Sequence, residues 1–92
     1  MTDAEILIPL KIDLQISASS QDEYLCHLVE LARSNIRREG VVLDDNVSDG
    51  MLIEMYAAHL YRTRRTPAPM PRMLRWALNN RLLSQKGADS DG

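Results

Sequence analysis

Three groupings of side chains in this 92-residue sequence could do chemistry. The first is Cys26, His27 and Glu30, a thiol, an imidazole and a carboxylate set close together. Zinc needs three or four ligands converging at about 2 Å, and the chain holds no second cysteine. Cys26 reads instead as a small packed hydrophobe and His27 as a helix-surface residue. The second grouping is Glu54 with His59. Five residues apart on a helix, the two side chains diverge around the axis and make a poor acid–base dyad. His59 falls within an apolar stripe and reads as a hydrogen-bonded, buried histidine. No glycine-rich phosphate loop and no nucleophile elbow accompany them, the glycines being Gly40, Gly50, Gly87 and Gly92. The expectation is a protein that is not an enzyme and uses no cofactor and no metal.

The third grouping is the stretch HLYRTRRTPAPMPRMLRWALNNRLLSQK, His59 to Lys86. It carries Arg62, Arg64, Arg65, Arg72, Arg75, Arg81 and Lys86 and neither Asp nor Glu. Residues 1–54 hold four cations against eleven acids, a net −7, and residues 55–86 a net +7. Asp89 and Asp91 bring the total to −2. A division this sharp suits a polyanion partner, or copies packed head to tail with an acidic face on a basic one. The acidic face would draw on Asp22, Glu23, Glu30, Asp44, Asp45 and Asp49. Arg72, Arg75, Asn79 and Arg81 lie roughly along one side of a helix, and Arg and Asn read base edges. The triple-proline link before that helix, however, is not the short turn of a helix-turn-helix.

The elements that must position these residues are helical. SSQDEYLCHLVELARSNIRREG opens with a Ser20–Glu23 capping box. Leu25, Leu28, Val29, Ala32 and Ile36 then recur at helical spacing, and Gly40 is a left-handed stop. A helix over Gln21–Glu39 follows. Asn46 or Ser48 caps a second helix over Ser48–Arg65, largely buried. Pro67, Pro69 and Pro71 then force an extended link. A third helix spans Pro71–Leu83, with Leu74, Ala77, Leu78 and Leu82 inward. Trp76, the largest ring in a chain without Phe, reads first as core, with a partner anchor as the alternative. LKIDLQIS, Leu10 to Ser17, alternates apolar and polar as a half-buried strand would. Leu10 and Leu14 are also one helical turn apart, so both readings stand. Residues 1–4 read as frayed, within an arm of residues 1–8. Residues 84–92 read as a flexible polar tail, disordered in the free chain.

Length and composition allow one small domain with a thin core, and oligomer contacts are a common remedy for that. A single cysteine excludes an intrachain disulfide and suits a reducing compartment. The acidic N-terminus lacks the pattern of a signal peptide. No run approaches the roughly 18 apolar residues of a membrane span, so no membrane partner is expected.

Taken in order, these stretches resemble the small head–tail connector (adaptor) proteins of tailed bacteriophages. KIDLQI is similar to the family's Lys-x-x-Leu-x-Ile near the N-terminus. SSQDEYLCHLVELARSNIRREG looks like its acidic cap and Leu/Ala-rich helix ending at glycine. MLIEMYAAHLYRTRR resembles its central helix, although that helix often ends Trp/Tyr-x-Asn-Arg where this one has Tyr61-Arg62-Thr63-Arg64-Arg65. PMPRMLRWALNNRL resembles its closing helix, after a link that is proline-rich here rather than glycine-containing. The likeness spans about Leu10 to Leu83. It implies an all-α protomer, residues 9–83, of three main helices plus a short N-terminal helix over about Pro9–Ile16. It further implies a ring of about a dozen copies, closed by heterologous contacts. That ring would lie in the virion neck, between the portal protein and a tail-side stopper or tail-completion protein, after assembly in the host cytoplasm. The arginines would then meet a neighbour's acids or line a channel for DNA without reading its sequence. The other reading from the residues is a small, dimeric DNA-binding regulator.

Overall fold

The computed structural model describes residues 1–90, with side chains through Gln85, and the protein is all-α. Four α-helices occur among the described residues: α1 (Asp3–Leu14), α2 (Asp22–Arg38), α3 (Val47–Arg62) and α4 (Arg72–Ser90), with a 3₁₀ turn at Ser19–Gln21. Helix α3 is the hub. It packs against each of the other three helices, whereas α4 has its extended contact with α3 alone. Leu52, Ile53, Tyr56, Ala57 and Ala58 of α3 meet Ile6 and Leu10 of α1, Leu25, Leu28, Val29, Ala32 and Ile36 of α2, Val41, and Leu74 and Leu78 of α4. Every residue of the stripe expected on α2 is buried.

The expected short N-terminal helix is present, and the strand is not, but its start departs most from expectation: residues 3–8 are not an arm, and α1 starts six residues before Pro9. A capping box explains the early start: the Thr2 hydroxyl accepts the Glu5 amide at 3.2 Å, and the Glu5 carboxylate accepts the Thr2 amide at 3.0 Å. Pro9 therefore sits inside the helix and deprives the Glu5 carbonyl of its donor, at a cost of about 3 kcal/mol. Ile6 and Leu10, each 0% exposed, offset it, since full burial is worth about 1.5–3 kcal/mol per side chain. Residues 1–4 are tied down rather than frayed. Arg33 donates to the Met1 carbonyl at 2.9 Å and to Asp3 at 3.0 Å, and the terminal amine pairs with Asp45. The helix ends with Gln15 in the left-handed conformation (φ 58°) and the Ile16 amide bonded back to Lys11 at 2.9 Å. The alternation in LKIDLQIS is thus the last turn of a helix and its cap.

Elsewhere the boundaries move by a few residues. The Ser20–Glu23 capping box does not form, because Ser20 lies in the 3₁₀ turn and the N-cap position of α2 is Gln21, which makes no side-chain cap. Asn46 caps α3 by accepting the Asp49 amide at 2.7 Å. Helix α3 stops at Arg62, where Thr63 turns its hydroxyl back to the His59 carbonyl at 2.8 Å. Gly40 ends α2 with φ +102°, a conformation costly to any other residue. Helix α4 runs on to Ser90, so Ser84 and Gln85 belong to it rather than to a tail. The Gln85 amide fastens it by accepting the Val42 N–H at 3.0 Å and donating to the Val42 carbonyl at 2.5 Å. The end of the expected tail, residues 91–92, lies outside the described residues.

Candidate interaction surface

The bundle brings the two halves of the charge division together. Arg62 at the end of α3 reaches Asp13 of α1 at 3.0 Å, and Arg75 of α4 reaches Glu39 at 2.7 Å. Arg81 of α4 bonds Asp49 at 2.8 Å through Nε and at 3.1 Å through Nη2, and Asp44 at 2.8 Å. Asp49 is only 1% exposed and also accepts the Asp44 amide at 2.7 Å. This carboxylate therefore joins the 41–46 connector, the start of α3 and the middle of α4, and Arg81 balances its charge inside the protomer. Asp22 pairs with Lys11 at 2.7 Å. Part of the charge division is thus balanced within the protomer. Arg62, Arg75 and Arg81 on one side, and Asp22, Asp44, Asp45 and Asp49 on the other, all have partners in their own chain.

The remaining site residues stay outward. Arg64 stacks on the Tyr61 ring, 3.7 Å from its centroid, and donates to the Tyr61 carbonyl. Tyr61 in turn lies against Tyr24 and donates to Gln21 at 2.9 Å. Arg65 and Arg72, on either side of the proline link, are exposed and make no ion pair among the described residues, as do Glu23 and Glu30. Glu30 lies beside Asp3, whose hydrogen bond and negative charge hold its pKa above the ordinary carboxylate value. On α4, the four polar residues expected along one side differ in their surroundings. Arg75 and Arg81 are engaged with acids, leaving Arg72 and Asn79.

Helix α4 faces solvent with apolar residues instead. Trp76 is 61% exposed, not core, with Met73 at 67% and Leu83 at 66%. A helix that packs against one neighbour buries one stripe, and here that stripe is Leu74, Leu78 and Leu82. The outward stripe borders a groove of about 500 Å³ between α3 and α4, lined by Met51, Leu52, Met55, Trp76 and Ala77 and edged by Arg81. Ile8 and Ile12 form a second exposed apolar ridge on α1, and Tyr24 and Leu31 a third on α2.

The possible catalytic groups are dispersed. Burial and the charges of Asp3, Asp22 and Glu30 push the Cys26 thiol pKa up, away from nucleophilic thiolate. His27 is exposed, and His59 is half-buried, its ring nearly perpendicular to that of Tyr56. Among the described residues no cluster of three metal-ligating side chains exists, and no helix is long and apolar enough to cross a membrane. Glu54, 4% exposed, does have a carboxyl neighbour, but it is Asp13 of α1 rather than His59. Burial first, then the hydrogen bond to Asp13 and its charge, raise Glu54 to a pKa of about 7, while Asp13 is lowered by the hydrogen bond from Glu54 and by Arg62. A proton on this pair therefore favours Glu54 over Asp13, and the buried Glu54 Oε1 has no hydrogen-bond partner among the described residues. The sequence hint was a lone carboxylate inside the run LIEMYAA.

Comparison with known proteins finds no family model, no curated relative and no solved structure that matches this chain.

Proposed function

We propose that this chain is a structural protein that works by protein–protein contact, and specifically a head–tail connector of a tailed phage. In this reading copies join into a ring of about a dozen around the DNA channel of the virion neck. The portal lies on one side and a stopper or tail-completion protein on the other. The observation that carries the protein-contact part is the outer face of α4. Met73, Trp76 and Leu83 stand in solvent while Arg75 and Arg81 turn back to acids of their own chain. A nucleic-acid surface wants the reverse, free cations outside and apolar residues within. The phage assignment rests on the order of motifs from Leu10 to Leu83. The exposed Arg64, Arg65 and Arg72 are available to a neighbouring protein or to passing DNA.

The alternative, a dimeric DNA-binding regulator, is disfavoured by the same ion pairs, since only two polar residues of the expected reading face remain free on α4. One experiment separates the readings. Tagged protein is added to DNA-filled, tailless heads of the parent phage and to duplex DNA over a salt series. A connector is retained at the portal vertex and binds free duplex weakly. Steep, salt-dependent duplex binding with no retention on heads would replace the connector with the regulator.

A further inference from the structure

The outward residues of α4 are spaced in a way that specifies a partner. Met73, Trp76, Asn80 and Leu83 follow one another at three, four and three residues, the spacing of a helix–helix seam. They occupy a face distinct from the inward Leu74, Leu78 and Leu82. Helix α2 carries a similar outward line at the same intervals: Tyr24, His27, Leu31 and Ser34, all exposed. Each line covers eleven residues, or about 15 Å of helix between its ends. The flanks differ in sign over most of their length. Arg72 makes no ion pair among the described residues and lies beside the α4 seam, and residues 72–85 hold no acid. Glu23 and Glu30, seven residues apart and likewise without an ion pair, run beside the α2 seam, on a line that the exposed Arg37 continues.

We infer that the outer seam of α4 in one copy docks on the outer face of α2 in the next, with Met73, Trp76 and Leu83 against Tyr24 and Leu31 and with Arg72 toward Glu23 or Glu30. The inference rests on the ring reading and names its subunit contact. Two observations favour this pairing over others. An α4–α4 contact would bring cations together with no acid to meet them. The α1 ridge of Ile8 and Ile12 is flanked by acids already occupied: Glu5 by Thr2, Asp13 by Arg62 and Asp3 by Arg33. Glu30 lies beside Asp3, a like-charge contact that Arg33 and Arg37 only partly offset, so a further cation arriving there is favourable. The contact is also heterologous, two different faces, so it propagates from copy to copy and closes when the geometry allows.

The full-length chain is examined by sedimentation velocity from micromolar to millimolar concentration, with tryptophan emission read on the same samples. Trp76 is the only tryptophan, so its emission reports the seam directly and moves to shorter wavelength as copies associate. The double variant E23R/E30R and the single variant R72E should each weaken association by about tenfold or more. Mixing these two variants should restore it, because each then offers the face the other lacks. L31E should abolish association and I12E should leave it intact, with circular dichroism confirming that these surface variants are folded. Wild-type protein that stays monomeric, association indifferent to the charge variants, or loss with I12E instead of L31E would overturn the inference. Retention on phage heads is scored separately. A chain that occupies the portal vertex but fails these tests keeps the connector reading and loses only this contact.

Discussion

Replacing Glu54 with Gln should abolish most of the alkaline loss of stability in this protein. Glu54 is buried, and a proton on its pair with Asp13 favours Glu54, while Arg62 holds Asp13 from the other side. Its pKa is raised from 4.5 to about 7, so the folded protein keeps a proton that the unfolded chain releases. The folded state therefore has the advantage of this group below about pH 4.5. Between there and about pH 7 the native state binds more protons than the unfolded state, and stability falls as pH rises. Above pH 7 the accumulated loss is about 3 kcal/mol from this group, at 1.36 kcal/mol for each pH unit between the two values. Asp13 works in the opposite sense: its pKa is lowered, so its contribution disappears as pH falls through its folded value. Gln keeps the shape and an N–H donor for Asp13 and cannot ionise. Urea denaturation of wild type and E54Q at pH 5 and pH 8.5 is the assay. Near pH 5 the two should differ by less than about 1 kcal/mol, and at pH 8.5 E54Q should be the more stable by about 2–3 kcal/mol. In thermal melts that gap corresponds to roughly 10–20 °C for a domain this small. An equal drop between the two pH values for both proteins would refute the assignment of Glu54 as the titrating group.

Arg81→Met should cost about 3–5 kcal/mol in urea denaturation, because it strands the buried Asp49 carboxylate; R81M/D49L should recover much of that loss. Thr2→Ala removes the α1 capping box and should lower stability by about 1 kcal/mol, with amide exchange rising first in residues 3–7. Gly40→Ala, forced to φ +102°, should destabilise by about 1–2 kcal/mol, read from the denaturation midpoint. Trp76→Ser should leave the melting temperature of the dilute protomer nearly unchanged, within about 0.5 kcal/mol, as befits a 61% exposed ring. A large loss there would place Trp76 in the core after all.

The local rules were readable residue by residue. Leu25, Leu28, Val29, Ala32 and Ile36 announced α2 because burial of one face at 3.6-residue spacing leaves that imprint, and Gly40 announced its end because a left-handed φ favours glycine. The Thr2–Glu5 box was equally present in the sequence but was outweighed by Pro9, whose cost is visible locally while the burial of Ile6 and Leu10 against α3 is not. Trp76 failed in the converse way. Helix α4 has two apolar stripes, and which of them faces α3 depends on where Arg81 and Gln85 find Asp49 and Val42. Charge shows the division most clearly. A −7 stretch followed by a +7 stretch is written in the residues themselves, and so are helices broken at Gly40 and at the prolines. That Arg62, Arg75 and Arg81 pair with Asp13, Glu39, Asp44 and Asp49 of the same chain emerges when the helices dock. Periodicity is a property of one helix and is written in one segment. An ion pair between helices depends on docking geometry, to which each segment contributes only half.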